Sequence, residues 1–126
     1  MIDGCVHVAK LILLVHSDLD FSNELSSALR QVGFEVKAFA DSMAAIDALD
    51  ADRRPDMLIT RTRFPDGTPQ GPALARMARA KRPGIKVIIT GRSELAEYAE
   101  DIGAFFPHPV NVPWLVDAVR QSLAES

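Results

Sequence analysis

The sequence predicts a doubly wound α/β fold, a mostly parallel sheet with helices on both faces. Three observations predict it: five short strand-like apolar runs, helical periodicity between them, and turn or capping residues at the junctions. Strands that alternate with helices at short spacing need right-handed crossovers, and these assemble a parallel sheet covered on both sides. A chain of 126 residues builds one such domain and not two.

Lys10 to Val15, KLILLV, is a continuous apolar run, as expected of a strand buried on both faces. Phe21, Leu25, Leu29 and Val32 then recur on one helical face, and Gly33 stops the helix. Phe34 to Phe39 alternates apolar and polar residues, which places a half-buried strand at a sheet edge. Ser42 is the expected cap of a second helix carrying Ala45, Ile46 and Leu49 inward, and Arg53, Arg54 and Pro55 end it. Met57 to Thr60 is the third strand. Pro65, Asp66 and Gly67 form a turn, after which Leu74, Met77 and Ala78 resume helical spacing as far as Pro83. Val87 to Thr90 is a β-branched fourth strand, followed by a helix facing inward through Leu95, Ala99 and Ile102 and closed by Gly103. Ala104 to Phe106 is the fifth strand, and Leu115, Val116, Val119 and Leu123 define a terminal helix capped by Asn111. Residues 1–9 are expected to be loosely held, and residues 10–124 to form the domain.

At 48% hydrophobic and 25% charged the composition excludes disordered and fibrous chains. The longest apolar run is far shorter than the roughly 20 residues of a membrane span, so the expectation is a cytoplasmic protein with no membrane association. A single cysteine, Cys5, excludes an intramolecular disulfide and a cysteine metal cluster. Net charge −3 argues against nucleic-acid binding, but the charge is unevenly distributed. Arg53 to Arg92 holds ten bases against two acids, and the remainder four bases against fifteen acids. This basic region reads either as solvated helix faces or as a surface for an anion or an acidic partner.

In doubly wound sheets ligands bind outside the carboxyl ends of the strands, where the strand order reverses. The residues ending the apolar runs are therefore the candidates: His16, Ser17 and Asp18, then Arg61, Thr90 and His108. The chain from about Lys10 to Leu123 resembles the receiver domains of bacterial two-component response regulators. ILLVHSDLDF is similar to that family's first strand and acidic turn, PDMLITRTRFPDG to its third strand and phosphorylation loop, VIITG to its fourth strand, and GAFFPHPV to its closing Lys-Pro turn. The resemblance implies a flavodoxin-like sheet of strand order 2-1-3-4-5.

It also implies a chemistry that this sequence lacks the residues to perform. The family places two acids after the first strand to hold Mg²⁺, because a hard cation takes oxygen ligands. Here those positions are His16 and Ser17, so Mg²⁺ binding and any other metal or cofactor are not expected. The family's acceptor aspartate is Arg61, whose guanidinium stays protonated and has no nucleophilic lone pair. The clamping lysine is His108, neutral at pH 7 unless its pKa is raised. Only Thr90 matches. With the acidic pair gone, Asp18 or Asp20 is expected to pair with Arg61.

Two readings of this pocket stand side by side. Arg61 snorkels to solvent with His16 and His108 as polar rim residues, or Arg61, Arg63, Arg92 and the two histidines converge on an anion site. Asp66 is a turn former. Trp114 is expected to pack or to sit half exposed on the last helix, and Phe106 stands roughly at the family's aromatic switch position. In the family the face built by the last strand and its flanking helices carries partners or a second copy, so Tyr98, Phe106 and Trp114 are candidate interface residues and a homodimer through the last helix is a candidate assembly. The expected function is a stand-alone, non-catalytic, phosphorylation-independent receiver-like module of a phosphorelay. Its partner would be a histidine kinase, a phosphotransferase or a downstream effector. The rivals are a docking competitor for those partners and a sensor of an anionic small ligand.

Overall fold

Leu11, Ile12, Leu13, Leu14 and Val15 are all buried, as expected of a strand covered on both faces, and β1 (Leu11–Val15) is an interior strand of the sheet. The computed structural model describes residues 9–50, 55–93, 96 and 102–124. The chain continues through α1 (Leu19–Gln31), β2 (Glu35–Phe39), α2 (Ser42–Leu49), β3 (Met57–Arg61), α3 (Gly71–Lys81), β4 (Lys86–Gly91), β5 (Ala104–Pro107) and α4 (Val112–Ala124). The five strands form one parallel sheet in the order β2-β1-β3-β4-β5. The alternating strand Phe34 to Phe39 is the edge strand β2, as its pattern requires.

Side-chain alternation along the strands divides the core in two. Leu13, Val15, Leu58, Val87 and Ile89 pack against Ala45 and Leu49 of α2 and Leu74, Ala75 and Ala78 of α3. Ile12, Leu14, Met57, Ile59 and Ile88 pack against Leu25 and Leu29 of α1 and Leu115, Val116 and Val119 of α4. No helix among the described residues is long and apolar enough to cross a membrane.

The structure corrects several local expectations. Asp41, not Ser42, caps α2, accepting from the Ala44 amide at 2.8 Å, because an ionised acceptor outcompetes a hydroxyl and frees Ser42 to be buried. Val32 is 40% exposed, since α1 ends one residue before it. β3, β4 and β5 each run past their expected ends, to Arg61, Gly91 and Pro107. The helix expected around Leu95 and Ala99 falls mostly outside the described residues, although Ile102 is buried in the core beside α3. The N-terminal segment expected to be loosely held, save Ala9, also lies outside them.

The basic region is partly neutralised at the amino end of the sheet. Lys81 pairs with Asp50, and Arg82 Nη2 pairs with Asp56 Oδ1 at 2.8 Å. Asp56 Oδ2 also accepts from the Leu11 amide at 2.8 Å, tying the start of β1 to the end of α3. Asp56→Ala takes the acceptor from that amide and removes the ion pair with Arg82. The expected loss is about 1 to 3 kcal/mol, read as a lower urea midpoint at unchanged slope.

Candidate functional site

The strand order reverses between β1 and β3, so the crevice beyond their carboxyl ends is the switch point. Ile12 and Leu14 face α1 and α4, and the next residue in that alternation is His16. By the same alternation Arg61 follows Ile59 and Thr90 follows Ile88 on that side. The register pairs Arg61 with Thr90 and Thr90 with Phe106. His108 arrives from the neighbouring strand, its amide bonded to the Gly91 carbonyl at 2.8 Å. The structure therefore brings His16, Ser17, Arg61, Thr90 and His108 to one end of the sheet.

His16 is buried rather than on the rim. Its ring lies 4.7 Å from Phe21 and 5.6 Å from His108, with Phe21 and His108 6.4 Å apart, all tilted. Its Nδ1 accepts from the Asp18 amide at 3.1 Å, which puts the proton of the neutral ring on Nε2. Burial pushes the His16 pKa down to about 4, and the Arg61 and His108 charges add to the fall while Asp18 opposes it. His108 is lowered too, by burial and then by Arg61, again against Asp18. Both rings are neutral at pH 7, so His108 supplies no clamping charge.

Arg61 is the site's permanent cation. Its Nη1 donates to Ser17 Oγ, and among the described residues neither Asp18 nor Asp20 forms the expected ion pair with it. Asp18 is engaged elsewhere: it caps α1, with Oδ1 accepting from the Phe21 amide at 3.2 Å. The favourable place for a carboxylate is the positive end of a helix, and Asp18 takes it. Arg63 and Arg92 are solvent-exposed, whereas Arg61 is half-buried.

The loop after β3 is built from its own side chains. Gln70 Oε1 accepts from the Phe64 amide at 2.7 Å and Nε2 donates to the Phe64 carbonyl at 3.0 Å, so one side chain satisfies both backbone groups as a neighbouring strand would. Gly91 allows a close approach, since a Cβ there would meet Thr62 Oγ1 at 2.2 Å. Thr62 itself bonds the Thr90 carbonyl through its amide at 2.8 Å and its hydroxyl at 2.9 Å. Phe21, Gln70 and Gly71 were not legible as site residues. Phe21 read as helix core, and the Gln70 clamp has no sequence signature.

The interface candidates separate. Trp114 is 71% exposed, more than expected, opposite the buried Val112, Leu115, Val116 and Val119 of α4. Phe106 is half-buried and packs against the core beneath α1 and α4. Phe105, its neighbour, faces the other core. Tyr98 lies outside the described residues.

The site does not fit Mg²⁺. The first position after β1 offers an imidazole whose Nδ1 is already bonded, the second a hydroxyl held by Arg61, and a guanidinium stands among them. A hard divalent ion requires oxygen ligands carrying negative charge.

Comparison by sequence returned no matching protein family and no matching curated protein. Comparison by structure returned receiver domains. A response regulator receiver protein from Sinorhizobium medicae WSM419 superposes with a TM-score of 0.81 at 28% identity, over 92% of this chain and 95% of that one. A CheY-like response regulator receiver domain protein from Methanospirillum hungatei JF-1 gives 0.81 at 24% identity, over 94% and 96%. The receiver domain of NtrX from Brucella abortus gives 0.80 at 23% identity, over 91% and 99%. The strand order, helix placement and these superpositions agree: the chain has the CheY-like, flavodoxin-like fold of response regulator receiver domains.

Proposed function

We propose that this chain is a receiver-like module of two-component signalling that works by binding other proteins, without Mg²⁺ and without accepting a phosphoryl group at the end of β3. The receiver-domain neighbours support the signalling class. The observation that carries the finer reading is Arg61, a cation hydrogen-bonded to Ser17 where the resemblance places a nucleophilic carboxylate beside a metal acid. Phosphoryl transfer to an aspartate needs an anionic oxygen in line with phosphorus and a metal to spread the charge. Residues 16, 17 and 61 offer neither. The partner is a histidine kinase, a phosphotransferase or an effector. Among the described residues Trp114, exposed on the outer face of α4, is the aromatic best placed to anchor it.

The reading is tested by amide NMR with MgCl₂ titrated to several millimolar. Resonances of residues 16–18 and 61–63 are expected to stay in place. Saturable shifts there would contradict the proposal. Trp114→Ala is expected to change stability by less than about 0.5 kcal/mol, because an exposed side chain takes little packing with it. A loss several times larger would place Trp114 in the fold and not at an interface.

A further inference from the structure

Three polar side-chain atoms at the carboxyl end of the sheet are buried and have no hydrogen-bond partner among the described residues: His16 Nε2, Arg61 Nε and Thr90 Oγ1. The other two such atoms, on Ser26 and Ser42, belong to helices. Each of the three can donate. The Asp18 amide occupies His16 Nδ1 and so leaves the proton on Nε2, Arg61 Nε always carries one, and the Thr90 hydroxyl is free to rotate. Buried donors without acceptors are costly and rare, and three on residues paired or adjacent across β1, β3 and β4 require a common explanation.

We infer that this end of the sheet is a receptor for a small carboxylate, held reversibly, with Arg61 supplying the charge and Thr90 and His16 supplying neutral donors. The inference rests on the reading of Arg61 as a residue that is not phosphorylated. The charge balance selects the ligand class. Arg61 is the one permanent cation of the cluster, the two imidazoles are neutral at pH 7, and the Asp18 carboxylate lies close enough to act on both. A monoanion matches that field and a dianionic phosphate does not. Shape selects it as well, because Nε with the adjacent Nη forms the planar fork that takes a carboxylate through two parallel hydrogen bonds. Ser17 is exposed, so the Arg61–Ser17 contact stands at the rim. The Ser17 contact is made by Nη1, on the other edge of the guanidinium, so Ser17 holds the group in place while the Nε edge takes the carboxylate. A free metabolite and an aspartyl or glutamyl side chain of a partner share this chemistry.

The test is an NMR titration at pH 7 that follows the Arg61 Nε–H and the amides of residues 16–18 and 90. Sodium acetate, N-acetyl-aspartyl amide and sodium phosphate are compared with sodium chloride at equal ionic strength. Acetate is expected to give saturable shifts that chloride does not, and phosphate to bind about tenfold more weakly. Binding of acetate alone assigns the site to free carboxylates, and binding of the aspartyl compound as well opens it to a partner's side chain. Arg61→Gln is expected to abolish the shifts and Thr90→Val to weaken binding. Shifts that chloride reproduces, that survive Arg61→Gln with a folded spectrum, or that phosphate produces more strongly would overturn the inference. Intact mass after treatment with acetyl phosphate and MgCl₂ separates the two claims. A silent acetate titration with unchanged mass removes the carboxylate site and leaves the module reading intact, whereas an added phosphoryl mass removes the latter.

Discussion

Acidification from pH 7 to pH 4 is expected to cost about 3 kcal/mol of stability through His16 alone, with about 2 kcal/mol already lost at pH 5. The folded protein holds this imidazole at a pKa of about 4, against 6.5 for the free group. Between those values the unfolded chain binds the extra proton and the folded chain does not, so lowering the pH favours unfolding. The contribution is complete above pH 6.5 and is exhausted below about pH 4. The largest cause is burial, because a charged ring loses its water among Phe21 and the strand ends, and the Arg61 and His108 charges repel it further. His108 shifts in the same direction and adds to the slope. Urea unfolding of the protein and of His16→Gln between pH 4 and 7 checks this, the difference between the two curves isolating the ring. Parallel curves would mean that His16 titrates normally and is not enclosed as described.

Gly71→Ala is expected to destabilise the protein by about 3 kcal/mol and to disturb the site as well. A Cβ at this position would stand 2.1 Å from the Arg61 carbonyl oxygen and 3.0 Å from the Thr62 Cα. Both atoms are backbone, so nothing flexible can move aside. The Gly71 amide also bonds the Thr62 carbonyl at 2.9 Å, which sets the start of α3 directly against the end of β3. Relieving the clash pushes either the helix or Arg61 away. Gly84→Ala is the control, with nothing within 4 Å of its Cβ, and it is expected to be neutral or stabilising by up to about 1 kcal/mol. Thermal unfolding of the two variants reads the contrast, and equal transition temperatures would contradict the packing at Gly71.

Periodicity revealed the elements that bury a face. KLILLV suits an interior strand and FEVKAF an edge strand, because a continuous apolar run reports two covered faces and alternation one. Competition between local groups decided what periodicity does not encode. Two neighbouring residues could cap α2, and the stronger acceptor, Asp41, took the cap. The residues of the site were legible because they stand at strand ends, where the fold places ligands. Their partners were not. Charge alone suggested that Arg61 would find Asp18 or Asp20, but Asp18 was already committed to the amino end of α1, and Ser17 was the group within reach. Of the two readings of His16, the polar rim residue gives way, because the alternation that buries Ile12 and Leu14 carries the ring inward to Phe21. Phe106 shows the same effect, since its position in β5 turns it toward the core of α1 and α4.

Intact mass spectrometry after incubation with acetyl phosphate and MgCl₂ tests the central claim most directly. An acyl phosphate is labile at neutral pH, so the sample is denatured in acid and measured within minutes alongside a receiver domain that does become phosphorylated. The account predicts a phosphoryl increment on the control and none on this protein. A phosphoryl increment on this chain would contradict it, and peptide mapping would then identify the residue that acts in place of Arg61.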